Sequence, residues 1–218
     1  MSETSSAPSA GLTTDKLRDS LLAALQTLVD NRDHLNVLDQ GLGDGDHGTT
    51  IARGCDAAIT ALKNGTFPTA NAAFEGVGSA MMTSMGGASG ILFGVWFRAA
   101  KNCPATDALT TGTLITFFQR ARQDLLRKSA AQVGDKTMMD ALIPAIEALE
   151  ANAGAPLGEA LRAAADAAHK GAESTIGLLP KFGRATTLGE RVRQAKDPGA
   201  TSVALFFDAL AKEQQTTS

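Results

Sequence analysis

Apolar residues recur at intervals of three and four along almost the whole of this 218-residue chain, and that period constrains the fold more than any other feature. Leu17, Leu21, Leu25, Leu28 and Val29 form one stripe, with Thr13 or Thr14 placed to cap its start. Ile51, Cys55, Ala58, Ile59 and Leu62 form a second, and Ala70, Ala73, Phe74, Val77, Ala80 and Met81 a third. Ile91, Leu92, Val95, Trp96 and Ala99 follow, then Leu114, Phe117, Phe118, Ala121 and Leu125. A sixth stripe holds Met138, Leu142, Ile146 and Leu149, a seventh runs from Leu157 through Leu161, Ala164, Ala168 and Ala172 to Ile176, and an eighth contains Val203, Leu205, Phe206, Ala209 and Leu210. Strand signals are poor: there is no Tyr, and few β-branched residues alternate. The run ILFGVWF (91–97) has the look of a buried strand, but its continuation Arg98-Ala99-Ala100 favours a helix. The expectation is an all-α chain of eight helices packed as an antiparallel up-and-down bundle.

Between these helices the punctuation is uneven. Asn64-Gly65 and the stretch from Asn152 to Pro156 are plain breaks. Four others are dense in Gly and charge: DQGLGDGDHGTT (39–50), MGGASG (85–90), VGDKT (133–137) and GRATTLGERVRQAKDPGATS (183–202). They follow the first, third, fifth and seventh helices. In an up-and-down bundle alternate connections lie at the same end, so all four should meet there and build a site on a rigid scaffold.

Asp39, Asp44 and Asp46 carry the strongest chemical signal. Three carboxylates within eight residues, spaced by Gly41, Gly43 and Gly45, repel one another unless a cation joins them. Hard oxygen donors suit Mg²⁺, which fills its remaining positions with water and phosphate oxygens; the competing reading is a solvated acidic turn. Gly43-x-Gly45-x-x-Gly48 matches a dinucleotide fingerprint, but it follows a helix and carries two acids. Asp44-x-Asp46-x-Gly48 resembles half of a calcium loop, but its twelfth position is Cys55 instead of Glu. His47-Gly48-Thr49-Thr50 and Met85-Gly86-Gly87-Ala88-Ser89-Gly90 each open a helix, where free amides attract an anion. Together they point to a polyanion bridged by metal, of which a magnesium nucleotide is the commonest. Gly134-Asp135-Lys136-Thr137 precedes the sixth helix and reads equally well as an N-cap with flanking charges, Asp135 being the capping residue. Arg184, Arg191, Arg193 and Lys196 offer cations for a phosphoryl group, or, for Arg193 and Lys196, a solvated basic surface.

Composition removes other classes. A net charge of −3 gives no basic excess for nucleic acid. No apolar run approaches the roughly eighteen residues that span a bilayer. Residues 1–12, MSETSSAPSAGL, have neither Lys, Arg nor an apolar block, so they read as a disordered tail instead of a secretory signal, ahead of a single domain over 13–215. Cys55 and Cys103 are isolated and read as packed thiols in a reducing, cytoplasmic setting. His34 and His169 sit in ordinary helical contexts.

GDGDHGTTIARG (43–54), GGASGILFG (86–94), GDKTMMDAL (134–142) and GRATTLGERVRQAKDPGATS (183–202) resemble, in order, the signature loops of the L subunit of dihydroxyacetone kinase. The resemblance runs from about Leu17 to Leu210. It implies a barrel of eight antiparallel helices holding ADP or ATP and two Mg²⁺ at one end. Metal ligands would be Asp39, Asp44 and Asp46. Nucleotide contacts would be His47, Gly48, Thr49, Thr50, Ala88, Ser89, Met138, Arg184, Asp197, Pro198 and Gly199, with Ser129 as a further contact. Arg184 would also stabilise the transferring phosphoryl group. In such kinases the substrate sits on a separate K subunit or domain, and this chain has no segment that would serve as one.

The family divides by phosphoryl donor. GERVRQAKDPGATS and the His of GDGDHG resemble the branch in which held ADP is recharged by a phosphohistidine protein of a phosphotransferase system. Thr49-Thr50 resembles the branch in which ATP exchanges as a substrate. The expectation here is the phosphohistidine donor, with ATP as the alternative and a homodimer left open. Two readings from other classes stand beside it: a magnesium-nucleotide sensor that regulates a partner, and a helical interaction protein whose acidic loop is merely solvated.

Overall fold

Eight long helices close into a ring in the computed structural model, which describes residues 11–215. They are α1 (Thr14–Asp30), α3 (His47–Asn64), α4 (Ala70–Ser84), α5 (Gly87–Arg98), α6 (Thr111–Lys128), α7 (Met139–Ala151), α8 (Leu157–Ser174) and α9 (Pro198–Gln215). Each packs on the next, and α9 returns to α1, so the chain forms an all-α barrel whose members alternate in direction. A ninth helix, α2 (Arg32–Gln40), was not expected from the sequence. It lies in the first connection and packs on α3. Its apolar face is only Leu35, buried, and Leu38, partly buried, two positions in nine residues and too few to establish a period. Since α2 falls inside one connection, the parity of the other helices is unchanged.

The tail expected over 1–12 lies outside the described residues as far as position 10. Leu12 does not belong to it: Leu12–Thr13 (β1) pairs antiparallel with Ala108–Leu109 (β2), the one sheet among the described residues. Thr13 occupies the N-cap position of α1 without a side-chain capping bond, while Thr14 Oγ1 donates to the carbonyl of Asp107.

Two stripes need correction. On α5, Phe93, Trp96 and Phe97 face inward and Ile91 is 51% exposed, because a helix apolar on every side does not announce its buried face. The seventh stripe ends early: α8 stops at Ser174, and Ile176 is exposed. Inside the ring, Trp96 contacts Phe97 with ring centroids 4.8 Å apart and Phe206 at 5.2 Å, and Phe74 meets Phe117 edge-on at 5.5 Å. Each such side chain contributes about 1.5–3 kcal/mol by leaving water. Cys55 is buried in this core and Cys103 partly so, both as free thiols, and burial pushes both thiols up.

The approach of α8 to α7 depends on Gly171, where a Cβ would stand 2.0 Å from the carbonyl oxygen of Asp140. Helix propensity alone favours Gly→Ala in a helix interior by about 1 kcal/mol. Gly171→Ala should nevertheless destabilise the protein by about 1–3 kcal/mol, since α8 must move off α7. Urea denaturation checks this by a fall in midpoint at unchanged slope. Stability equal to or above wild type would show that the helices do not cross this closely.

Candidate functional site

The four Gly-rich connections do meet at one end of the barrel. There they surround a cavity of about 530 Å³, whose lining includes Asp39, Asp44, Asp46, His47, Thr50, Ala88, Ser89, Met138, Asp197, Pro198 and Gly199. Residues at or near the N-termini of α3, α5, α7 and α9 all open onto it. Each helix brings a partial positive charge from its unbonded amides. At the opposite end two of the four helix N-termini, those of α1 and α8, carry no side-chain capping bond and two do. Thr69 caps α4 by accepting from the amide of Ala72, and Thr110 and Thr113 form a capping box on α6. At the cavity, Asp46, Gly86 and Met138 precede their helices without a side-chain capping bond.

Asp39, at the end of α2, organises the acidic loop. Its Oδ2 accepts from the amides of Asp46 at 3.0 Å and His47 at 3.1 Å, which folds the loop back and brings the three carboxylates together. One oxygen from each of Asp39, Asp44 and Asp46 lies within 4.8 Å of the other two. Asp44 and Asp46 are exposed to the cavity side. Closely grouped hard oxygens with open positions fit Mg²⁺, which keeps water and phosphate among its ligands.

His47 is buried beneath this loop. Burial pulls its imidazole down to about 4 against the opposing charge of Asp39, so it is neutral at pH 7. Its Nε2 lies 2.9 Å from Ser202 Oγ, which donates to the carbonyl of Pro198, and the chain of contacts ties α3 to α9. Asp197 caps α9 by accepting from the amide of Ala200 at 2.7 Å. Burial pushes its carboxyl up to about 7, with Asp140 and Asp39 adding to the rise and Lys136 opposing it.

Not every expected residue reaches the cavity. A Cβ on Gly48 would stand 1.9 Å from the carbonyl oxygen of Arg32, so Gly48 serves the packing of α2 on α3. Thr49 also faces α2: its amide donates to Asn36 Oδ1, and its hydroxyl accepts from Asn36 Nδ2. Ser129 ends α6 away from the lining, with its hydroxyl accepting from the amide of Ala131. Arg184 opens a 3-10 turn between Gly183 and Ala185, which both line the cavity; its side chain lies outside the described part of the structure. Among the other cations of that loop, Arg193 pairs with Glu190 and donates to the carbonyl of Gly177, and Lys196 pairs with Glu173 at 2.6 Å. Neither they nor Arg191 lines the cavity. His34 and His169 are exposed on helices.

Lys136 and Arg53 line the cavity and were not singled out from the sequence. Asp46, Thr50 and Arg53 stand at i, i+4 and i+7, the spacing that would have found Arg53. Lys136 is 3% exposed, and its Nζ donates to the carbonyls of Thr175 at 2.6 Å and Ala195 at 2.5 Å. Burial pulls its ammonium down, and Asp197 and Asp140 oppose that. The cap expected from Asp135 is not made; Asp140, inside α7, holds the preceding loop, its oxygens accepting from the amides of Gly134 at 2.6 Å and Thr137 at 2.7 Å. Asp135 instead accepts from the amide of Gln132 and pairs with Lys181 at 2.5 Å, which holds its carboxyl below the usual range.

Comparison with known proteins agrees with this geometry. The sequence model of the DAK2 domain matches residues 41–212. The chain is 37% identical to the PEP-dependent dihydroxyacetone kinase, ADP-binding subunit DhaL, of Escherichia coli, over 82% of this chain and 87% of that one. It is 35% identical to the PTS-dependent dihydroxyacetone kinase, ADP-binding subunit DhaL, of Lactococcus lactis, over 85% of this chain and 90% of that one. Among solved structures, the dihydroxyacetone kinase of C. freundii in its native form superposes with a TM-score of 0.71 at 28% identity, covering 97% of this chain and 37% of that one. The same kinase in complex with AMP-PNP and Mg²⁺ gives 0.67 at 29% identity, covering 97% and 36%.

The elevated carboxyl of Asp197 has a consequence for stability. Between about pH 4, where an unfolded Asp titrates, and about 7, the folded protein holds a proton that the unfolded chain has lost. Raising the pH through that window therefore favours unfolding. His47, held neutral in the fold, acts in the opposite direction up to about pH 6.5, so the test is a difference. Calorimetry in EDTA should show the melting temperature of wild type falling relative to that of Asp197→Asn from pH 5 to pH 8. An unchanged slope in Asp197→Asn would place the titration elsewhere.

Proposed function

The chain belongs to the DAK2 domain family, and we propose that it is the ADP/ATP- and magnesium-binding subunit of a dihydroxyacetone-type kinase, passing a phosphoryl group to a short-chain ketose held on a separate K subunit. One observation carries this reading above the others: three grouped carboxylates and four helix N-termini share a single cavity. Amides and helix dipoles at Ala88 and Ser89 attract phosphate, while Asp39, Asp44 and Asp46 repel it unless a cation stands between them. A solvated interaction protein has no use for that pairing.

The division of labour follows from the side chains. Phosphoryl transfer is mostly positioning and neutralisation of charge, so the chain needs no base or nucleophile of its own. Asp39, Asp44 and Asp46 would hold two Mg²⁺, which would supply positive charge to neutralise phosphate oxygens. Thr50 and the opening of α5 orient the phosphates, and Arg53, Lys136 and Arg184 balance their charge. Met138, Leu92 and Phe93 offer an apolar wall for the base. The acceptor hydroxyl and the group that takes its proton come from the partner.

The relatives bear on the donor. The chain spans most of the E. coli and L. lactis subunits, which are PEP- and PTS-dependent, but about a third of the C. freundii kinase. That supports a cytoplasmic multi-subunit enzyme in which a phosphohistidine protein recharges bound ADP. The purified chain should accordingly keep stoichiometric ADP through dialysis in magnesium buffer, as chromatography of the acid extract would detect. Protein that emerges free of nucleotide, yet turns over with added ATP, would assign it to the exchanging branch.

Two substitutions test the roles. Asp44→Ala should abolish magnesium-dependent ADP binding in calorimetric titration without lowering the melting temperature, because it relieves repulsion between acids. Wild-type affinity in that variant would remove Asp44 from the metal site. Arg184→Lys should bind ADP nearly as wild type but lose about 10²–10³ in turnover with its partner, since an ammonium replaces a two-pronged donor. Parallel losses in affinity and turnover would make Arg184 an anchor for bound nucleotide.

A further inference from the structure

A second hollow, of about 320 Å³, is bounded by α5, by the 3-10 turn Ala99–Asn102 that continues it, and by the last part of α6. It shares no lining residue with the cavity at the end of the barrel. Four of its nine lining residues are cations, Arg98, Lys101, Arg127 and Lys128, against one acid, Asp124. In a chain whose net charge is −3, that is a local reversal of sign. Cations gathered this closely repel one another unless something opposes them.

The chain itself opposes only some of them. Asp124 is shared between Arg120 at 3.0 Å and Arg127 at 3.4 Å, and Lys101 lies 3.7 Å from Glu75. Among the described residues, Arg98 and Lys128 have no carboxylate at ion-pairing distance. Cations in the last turn of a helix can simply offset its dipole, and that accounts for Arg127 and Lys128, which are exposed at the end of α6. It does not account for Arg98. This side chain ends α5 with its stem pressed on α4, where a Cβ on Gly78 would stand 2.6 Å from Arg98 Cγ. Its Nη1 donates to Met82 Sδ at 3.4 Å, a weak acceptor, and its Nε is buried with no partner at all. A guanidinium desolvated in this way is costly unless a charged acceptor stands beside it.

We propose that this hollow binds a small phosphate-bearing anion, inorganic phosphate or the monoester of a short sugar, with Arg98 as its fixed donor. The guanidinium is a planar fork that matches two phosphate oxygens, and packing on Gly78 holds it in place. Lys128 from α6 and Lys101 from the 3-10 turn add charge on flexible stems. The C-terminal ends of α5 and α6 each bring about half a negative charge, and the lining keeps a positive excess over both. Met82, Val95 and Ala99 leave apolar surface for the carbon end of an ester. Neutralisation comes from side chains alone, so binding needs no magnesium and weakens with salt. The site stands apart from the phosphoryl-transfer reading, because the two hollows have no residue in common.

The test titrates inorganic phosphate into the protein in EDTA at low salt, followed by ¹⁵N NMR of backbone amides and arginine Nε–H groups. Saturable shifts are expected at Arg98 Nε–H, at residues 99–102 and in the last turn of α6. Arg98→Gln and Lys128→Gln should each weaken binding about ten-fold, through loss of one charge-assisted contact. Arg122→Gln, on α6 but outside the hollow, should bind as wild type. Lys128 is exposed, so its substitution reads the site even where Arg98→Gln unsettles the packing of α5 on α4. A second titration with dihydroxyacetone phosphate separates the sources: tighter binding assigns the site to the ester, equal or weaker binding to free phosphate, and both keep the assignment. Four outcomes overturn it: no saturable shift, shifts confined to the cavity at the barrel's end, equal shifts from sodium chloride at the same ionic strength, or wild-type affinity in both Arg98→Gln and Lys128→Gln.

Discussion

Repulsion among acids is the constraint around which this end of the barrel is arranged. Asp39, Asp44, Asp46 and Asp197 face one cavity, opposed by Arg53 and Lys136, with His47 held neutral. The excess of negative charge is tolerable because four helices point their N-termini at the same space. That convergence is possible only in a ring whose members alternate in direction, so the architecture and the electrostatics are one requirement. Thr69 and Thr110 satisfy helix amides at the far end, while the amides at the opening of α5 are left for a ligand.

The barrel was legible in the sequence because amphipathic helices leave a period of 3.6, and eight of them did. Helix α2 was not, since nine residues with one buried and one partly buried Leu are too few to establish a period. The clustering of the loops was legible because it depends on parity alone, which α2 does not disturb. Individual contacts were harder. Successive helical residues point about 100° apart, so a motif such as His47 to Thr50 cannot turn all its members to one cavity. His47 and Thr50 line it, while Gly48 and Thr49 turn to α2. Lys136 was hidden for another reason: in a sequence, a Lys before a helix looks like an exposed charge, and only tertiary structure brings the carbonyls of Thr175 and Ala195 to it.

Lys136 also shows how the loops are held in register. Its backbone has a φ of 59°, the one non-glycine left-handed residue among those described. Such a conformation costs about 1–3 kcal/mol and persists only where the surroundings enforce it. Here the two carbonyl contacts, from the end of α8 and the loop before α9, do so. Asp140 grips the same loop from the other side through the amides of Gly134 and Thr137. Two connections far apart in sequence, the one before α7 and the one between α8 and α9, are thereby fixed relative to each other beside the cavity.

The aromatic core reaches the cavity wall at Phe93, which lines it and lies 5.7 Å from Trp96 by ring centroids. Trp96 is the only indole in the chain, 1% exposed and surrounded by Phe rings. The protein thus contains an intrinsic optical reporter one side chain away from whatever occupies the cavity. Its emission belongs to a dry, ring-packed setting, and a change in the seating of Phe93 alters that setting without any label. The same fluorophore that reports loss of the fold is therefore positioned to report the arrival of a ligand.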